Sequence, residues 1–168
     1  MFISDYCIMD PFIRAFTASQ LRGAAAGCAL CGPLVSFLTN LRCRDLTLEH
    51  AVIDGVLTSV CIALTVAPGS EFVFRYGMKK NPWFKLEDHP LGECSKLLEL
   101  LPRSNWGIGG FFALSGAAVC AIVLYLIFSV AAIETISFGT FIIFKLIFTA
   151  LLGATTARFA ALNNFRYK

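Results

Sequence analysis

Four stretches of this chain run for about twenty residues each with almost no charge, long enough to cross the ~30 Å hydrocarbon core of a bilayer. They fall at about 23–41, 51–67, 106–133 and 136–157. Backbone in lipid has to satisfy its own hydrogen bonds, so each stretch is expected to be helical. The fold class that follows is an all-α membrane protein: about four transmembrane helices in a compact bundle, with short interfacial amphipathic helices beside them. Composition agrees, since 57% of the residues are hydrophobic and 15% are charged, against about 25% charged in an ordinary soluble domain.

The first span is fenced by Arg22 on one side and by Arg42 and Arg44 on the other, and Pro33 is expected to kink it. The second is the shortest; it holds Asp54 and is expected to stop at Pro68-Gly69. The third is long enough to tilt. The fourth is rich in Phe and carries Lys145 near its middle; the short break around Glu134 makes these two spans a hairpin. Five segments result. Residues 1–22 form an interfacial N-terminal segment, in which Asp5 and Asp10 speak against a secretory or mitochondrial leader. Residues 23–67 are the first helix pair, 68–105 an extramembrane loop with four prolines, 106–162 the second hairpin and 163–168 a C-terminal tail. Within the loop, 91–101 places Leu91, Cys94, Leu97, Leu98 and Leu101 on one helical face, as a short surface helix would. No internal repeat is visible in the sequence.

Basic residues set the orientation. With four spans, the N-terminus, the long loop and the C-terminus share one side and hold eleven Lys and Arg; the other side holds Arg42 and Arg44. Both ends are therefore expected on the cytoplasmic side, or on the matrix side of a mitochondrial inner membrane. The net charge of +3 and the lack of a basic stripe interleaved with aromatics exclude a nucleic-acid surface.

Small residues recur every four positions in the spans. Gly23, Gly27 and Cys31 make such a stripe in the first, beside Ala24, Cys28 and Gly32; Gly55, Ser59 and Ala63 make one in the second. Helices in lipid associate through close backbone approach, so these stripes are the expected packing seams, one of them available to another subunit. Phe12, Phe16, Leu97 and Leu101 are the expected partner-contact residues outside the spans.

Catalytic motifs are absent from the sequence. It has no G-x-S-x-G, no H-E-x-x-H, no Walker A loop and no dinucleotide fingerprint. Cys28 and Cys31 form a C-x-x-C inside a span, where cysteine packs as a small hydrophobe. His50 and His89 fall on opposite sides of the membrane, which disfavours a haem between helices. No cofactor and no metal are expected. Asp54 and Lys145 are the two intramembrane charges, and such groups usually face protein or water. Counted from the expected span starts, Asp54 lies roughly 8 Å shallower than Lys145. A structural pair, a contact of Lys145 with an anionic, cardiolipin-like phospholipid, or part of an ion path are the open readings.

A non-catalytic accessory subunit of a larger membrane complex is the expected function. Its preferred setting is an energy-transducing complex, respiratory chain or ATP synthase, of the mitochondrial inner membrane, with other membrane subunits and phospholipids as partners. A transporter or channel is the alternative. The size, the four spans and Gly23-x-x-x-Gly27 are similar to those of the Tim17-like translocases, a family that includes a respiratory complex I accessory branch. That resemblance implies a translocase component with polar residues along one groove, toward which Asp54 and Thr58 point.

Overall fold

The computed structural model describes residues 11–39, 45–80 and 98–166. They form four long helices: α1 (Pro11–Thr39), α2 (Leu48–Lys80), α3 (Asn105–Ala131) and α4 (Phe138–Asn164). Each is long and apolar enough to cross a bilayer, and the chain is accordingly an integral, nearly all-helical membrane bundle. Two three-residue strands, β1 (Asp45–Thr47) and β2 (Thr135–Ser137), precede α2 and α4 and pair antiparallel.

Local chemistry fixes several helix ends. Pro11 occupies the first position of α1, where a missing N–H is harmless. The Ser104 hydroxyl accepts from the Gly107 N–H at 3.0 Å and caps α3. Ala132 closes α3 in the left-handed region (φ 50°), and the Ile133 N–H reaches back to the Phe128 carbonyl at 3.2 Å. Ser137 caps α4 by accepting from the Thr140 N–H at 3.3 Å.

Three helices exceed their sequence-derived bounds. Residues 11–22, expected as a separate interfacial segment, are the first turns of α1, because Ile13 and Phe16 dock on Leu162 and Phe165. Neither Pro33 nor Pro68 ends its helix. At Pro68, the Gly109 face of α3 backs directly onto Ala63, Leu64 and Ala67 and supports the weakened turn. Beyond it, a Glu71–Arg75 ion pair at 2.6 Å and stacked Phe72 and Tyr76 rings stabilise the extension to Lys80. The extramembrane loop is thus shorter than 68–105, and α4 carries the expected tail residues Asn163 and Asn164 as its last, buried turn. Most of the expected 91–101 helix, Leu97 included, lies outside the described residues. Its end, Leu98–Leu101, is a turn with Leu98 fully buried.

Although the sequence shows no repeat, the topology has one. The units α1–β1–α2 and α3–β2–α4 are alike: a long helix, a short strand and a second long helix. α1 packs antiparallel on α4, from the Phe37–Phe138 rings at one end to Phe12–Phe165 at the other. α3 packs antiparallel on α2 in the same manner. α2 and α4 run parallel through the middle, meeting at Asp54–Lys145 and again at Ser70–Asn164. A half-turn about an axis along the bundle exchanges the two units. It passes between Leu46 and Ile136, the central and only buried residues of the paired strands, so the ribbon caps one end.

Candidate functional site: a buried ion pair between the repeats

Asp54 lies six residues into α2 and Lys145 seven into α4. At 1.5 Å per residue both sit about 10 Å below the ribbon, level with one another rather than offset by 8 Å. The correction comes from the helix starts, since α2 begins at Leu48 and α4 at Phe138. The parallel, two-fold-related placement of these helices aims the two side chains at the axis. Lys145 is 1% exposed and its ammonium donates to Asp54 Oδ2 and to Ser36 Oγ; the Ser36 hydroxyl also donates to Asp54 Oδ2 at 2.6 Å. So buried a Lys145 has no face for a lipid headgroup. The Phe141 ring, one turn earlier on α4, lies 5.7 Å from the Lys145 nitrogen.

Ser36 escaped the sequence reading. A serine in an apolar helix usually bonds its own backbone, and only the α1–α4 contact shows that this one serves the ion pair. Thr58 and Thr149 are separated by the same 91 positions as Asp54 and Lys145, one turn further along each helix, and both are buried. The Thr58 hydroxyl donates to the Asp54 carbonyl at 2.8 Å, and that of Thr149 crosses to the Cys28 carbonyl of α1 at 2.9 Å.

Between the pair and the ribbon the interior is apolar: Leu46, Ala51, Leu124, Phe128, Ile136 and Phe141 form one cluster. At the far end a polar knot lies beside the apolar cluster of Ile13, Leu98, Leu162 and Phe165. Asn105 donates to Asn164 at 2.7 Å, Asn163 donates to Asn105 at 2.8 Å and to the Arg103 carbonyl at 2.9 Å, and Asn164 donates to the Ser70 carbonyl at 3.3 Å. This knot joins α2, α3 and α4. Taking residues after 162 as a tail hid it from the sequence reading. Beside the knot, Asn105, Asn164, Glu71, Arg75 and Trp106 line a groove of about 500 Å³.

The expected packing residues divide between inside and outside. Gly55, Ser59 and Ala63 are buried in the bundle, Gly55 directly against Cys120 of α3. Gly23 and Gly27 face open space and Cys31 is exposed. Contact between α1 and α4 uses the adjacent stripe, where Cys28 sits over Gly153 and Thr149 over Gly32. Of the expected partner contacts, Phe12 is exposed, whereas Phe16 and Leu101 pack within this chain beside Phe74 and Leu98. Among the described residues no group of three His, Cys, Asp or Glu could hold a metal; His50 is exposed and bonds Thr47, and His89 lies outside them.

Fold and site together define a class: a four-helix membrane bundle of two parallel repeats with an ion pair buried on their common axis. No family model, no curated protein and no solved structure matches the chain.

Proposed function

We propose that the chain is a non-catalytic subunit of a larger membrane assembly, with an energy-transducing complex of the mitochondrial inner membrane as its setting and both ends on the matrix side. The observation carrying this reading is the outer face of α1. There Gly23, Gly27 and Cys31 stay open while the stripe beside them seals the bundle. A small-residue face turned to the outside lets a helix of another subunit approach closely. Eleven basic residues, in the two chain ends and residues 68–105, support the orientation and suit an anionic phospholipid surface. The test is Gly23→Leu with Gly27→Leu, which adds bulk outside the bundle only. The doubly substituted chain should insert normally and fail to comigrate with the wild-type assembly on a native gel. Unchanged migration, or a wild-type chain that runs as a monomer from mild detergent, overturns the reading.

The buried pair favours a second reading, a transport component such as a channel or Tim17-like translocase subunit. Intramembrane charges commonly mark ion paths, and parallel repeats about an axis along the membrane normal recur in transporters. Ion flux through the purified chain separates the two.

A further inference from the structure

The groove beside the asparagine knot opens where α2 leaves the bundle and α3 enters it. Contact between these two helices sets its depth. Gly109 of α3 packs on Ala67 of α2, so one turn onward along α2 and one turn back along α3 bring Glu71 level with Asn105. α3 is 27 residues long, about 40 Å, against a hydrocarbon core of ~30 Å. Its first turn therefore stands in the headgroup layer, and the exposed Trp106 sits where an aromatic-belt residue belongs.

Both signs of charge line this groove. Glu71 and Arg75, one turn apart on α2, are joined at 2.6 Å, with the Arg75 side chain largely exposed. That bond exhausts neither group, since a guanidinium carries five N–H donors and a carboxylate two acceptor oxygens. The floor is polar and buried, Asn105 being 2% exposed and Asn164 5%. One N–H of Asn105 Nδ2 goes to Asn164 Oδ1 at 2.7 Å; the other has no partner among the described residues. The Ser104 hydroxyl accepts from the Gly107 N–H and keeps its own proton to donate. Phe74, Met78 and Trp106 supply apolar walls. Below the rim, Trp106, Gly110 and Leu114 follow one another at four-residue spacing on one face of α3. Trp106 and Leu114 are exposed, and a Cβ on Gly110 would meet nothing within 4 Å, so a notch lies between them on the outside of the bundle.

We propose that this groove binds one phospholipid with an ethanolamine headgroup. The phosphodiester accepts from Arg75, from the Ser104 hydroxyl and from the second N–H of Asn105. The primary ammonium donates to the Glu71 carboxylate. An acyl chain descends past Trp106 into the Gly110 notch. Charge complementarity selects this occupant, because the two side chains sum to zero, as the headgroup does, and the four charges alternate. Residues four apart on a helix stand about 5–6 Å apart at Cβ, a span that phosphate, two methylenes and ammonium can bridge. A choline headgroup has no N–H for Glu71, and a phosphatidylglycerol headgroup sets its negative charge near that carboxylate without a cation of its own. At about 500 Å³ the groove takes the headgroup and leaves the chains to the membrane. Such a site is distinct from the general attraction of the basic side for anionic lipid. It belongs to the chain itself, with or without partner subunits.

The test mixes the purified full-length chain, in mild detergent, with equal amounts of phosphatidylethanolamine, phosphatidylcholine and phosphatidylglycerol carrying identical acyl chains. Native mass spectrometry reads which lipid stays bound. Wild type should retain one phosphatidylethanolamine, favoured about five-fold or more over either competitor. Glu71→Gln should bring phosphatidylethanolamine and phosphatidylcholine within about two-fold of each other, and Glu71→Lys should put phosphatidylglycerol first. Both changes fall in an i,i+4 pair at the protein surface, whose loss leaves the fold intact. Gly110→Leu fills the notch from outside and should lower retention of all three lipids several-fold without changing their order. Equal retention of the three by wild type, a preference that either Glu71 substitution leaves unchanged, or a Gly110→Leu chain as well lipidated as wild type overturns the proposal.

Discussion

Asp54 and Lys145 each carry a charge that packed protein and lipid both disfavour, and each is held by the other with Ser36 between them. In such a pair most of the Coulomb gain goes to offsetting desolvation, so removing one partner hurts far more than removing both. Asp54→Asn or Lys145→Met alone should lower stability by about 3–5 kcal/mol, and the double substitution should recover most of the loss. A double-mutant cycle of unfolding in detergent measures this, and simple additivity of the single effects would contradict it. The two charges were legible in the sequence because a charge stands out in an apolar run. Their pairing was not, since depth depends on where each helix starts, and a three-residue shift at Leu48 together with a two-residue shift at Phe138 brought Asp54 level with Lys145. Ser36 was illegible for another reason. A hydroxyl in a membrane helix can always bond its own backbone, and only the neighbours brought by the fold decide whether it does.

The helices themselves could be read from hydropathy, but their ends could not. Pro68-Gly69 reads as a stop and sits inside α2, because support from α3 outweighs the one missing hydrogen bond. Likewise the Gly23–Gly27 spacing reads as a seam, yet the seam lies one residue further round the helix. Periodicity gives candidate faces, and contact selects among them. That selection has a measurable consequence. A Cβ on Gly109 would stand 2.9 Å from the Ala63 carbonyl oxygen and 3.4 Å from Ala67 Cβ, atoms of a neighbouring helix that move only if the helix moves. Gly109→Ala should therefore destabilise the bundle by about 1–3 kcal/mol. A Cβ on Gly27 meets nothing within 4 Å, so Gly27→Ala should change stability by no more than about 0.5 kcal/mol, apart from a small gain in helix propensity. Equal losses for both in a detergent unfolding series would show that the α2–α3 contact is looser than described.

At the scale of the whole molecule, the two repeats depend on one another more than the helices within each repeat do. While Leu152 over Gly116 lies within one unit, most of the closest approaches, Cys28 over Gly153, Cys120 over Gly55, Thr149 over Gly32 and Gly109 over Ala63, join a helix of one unit to a helix of the other. So do the strand pairing, the Asp54–Lys145 pair and the Asn164–Ser70 bond. Within a unit, α1 meets α2 through less: the Ser36–Asp54 bond near the ribbon and the Phe16–Phe74 rings at the other end. A lone unit would keep two apolar helices but lose the faces against which they pack, and one buried charge would be left without its counter-ion. Cutting the chain between Lys80 and Leu98 leaves every contact just named within the two halves or between them. Coexpressed as separate chains, the two halves should insert, find each other and copurify in mild detergent through a tag on either one. The reassembled pair should unfold at a lower temperature than the intact chain, with a midpoint that rises with protein concentration, since association has replaced an intramolecular step. Each half expressed alone should be degraded quickly or should pair with itself. Asp54→Asn in the first half should weaken recovery of the second, which ties the association to the charge pair rather than to apolar stickiness. Halves that are each stable as monomers and do not copurify would mean that the two-fold contacts do not hold this bundle together.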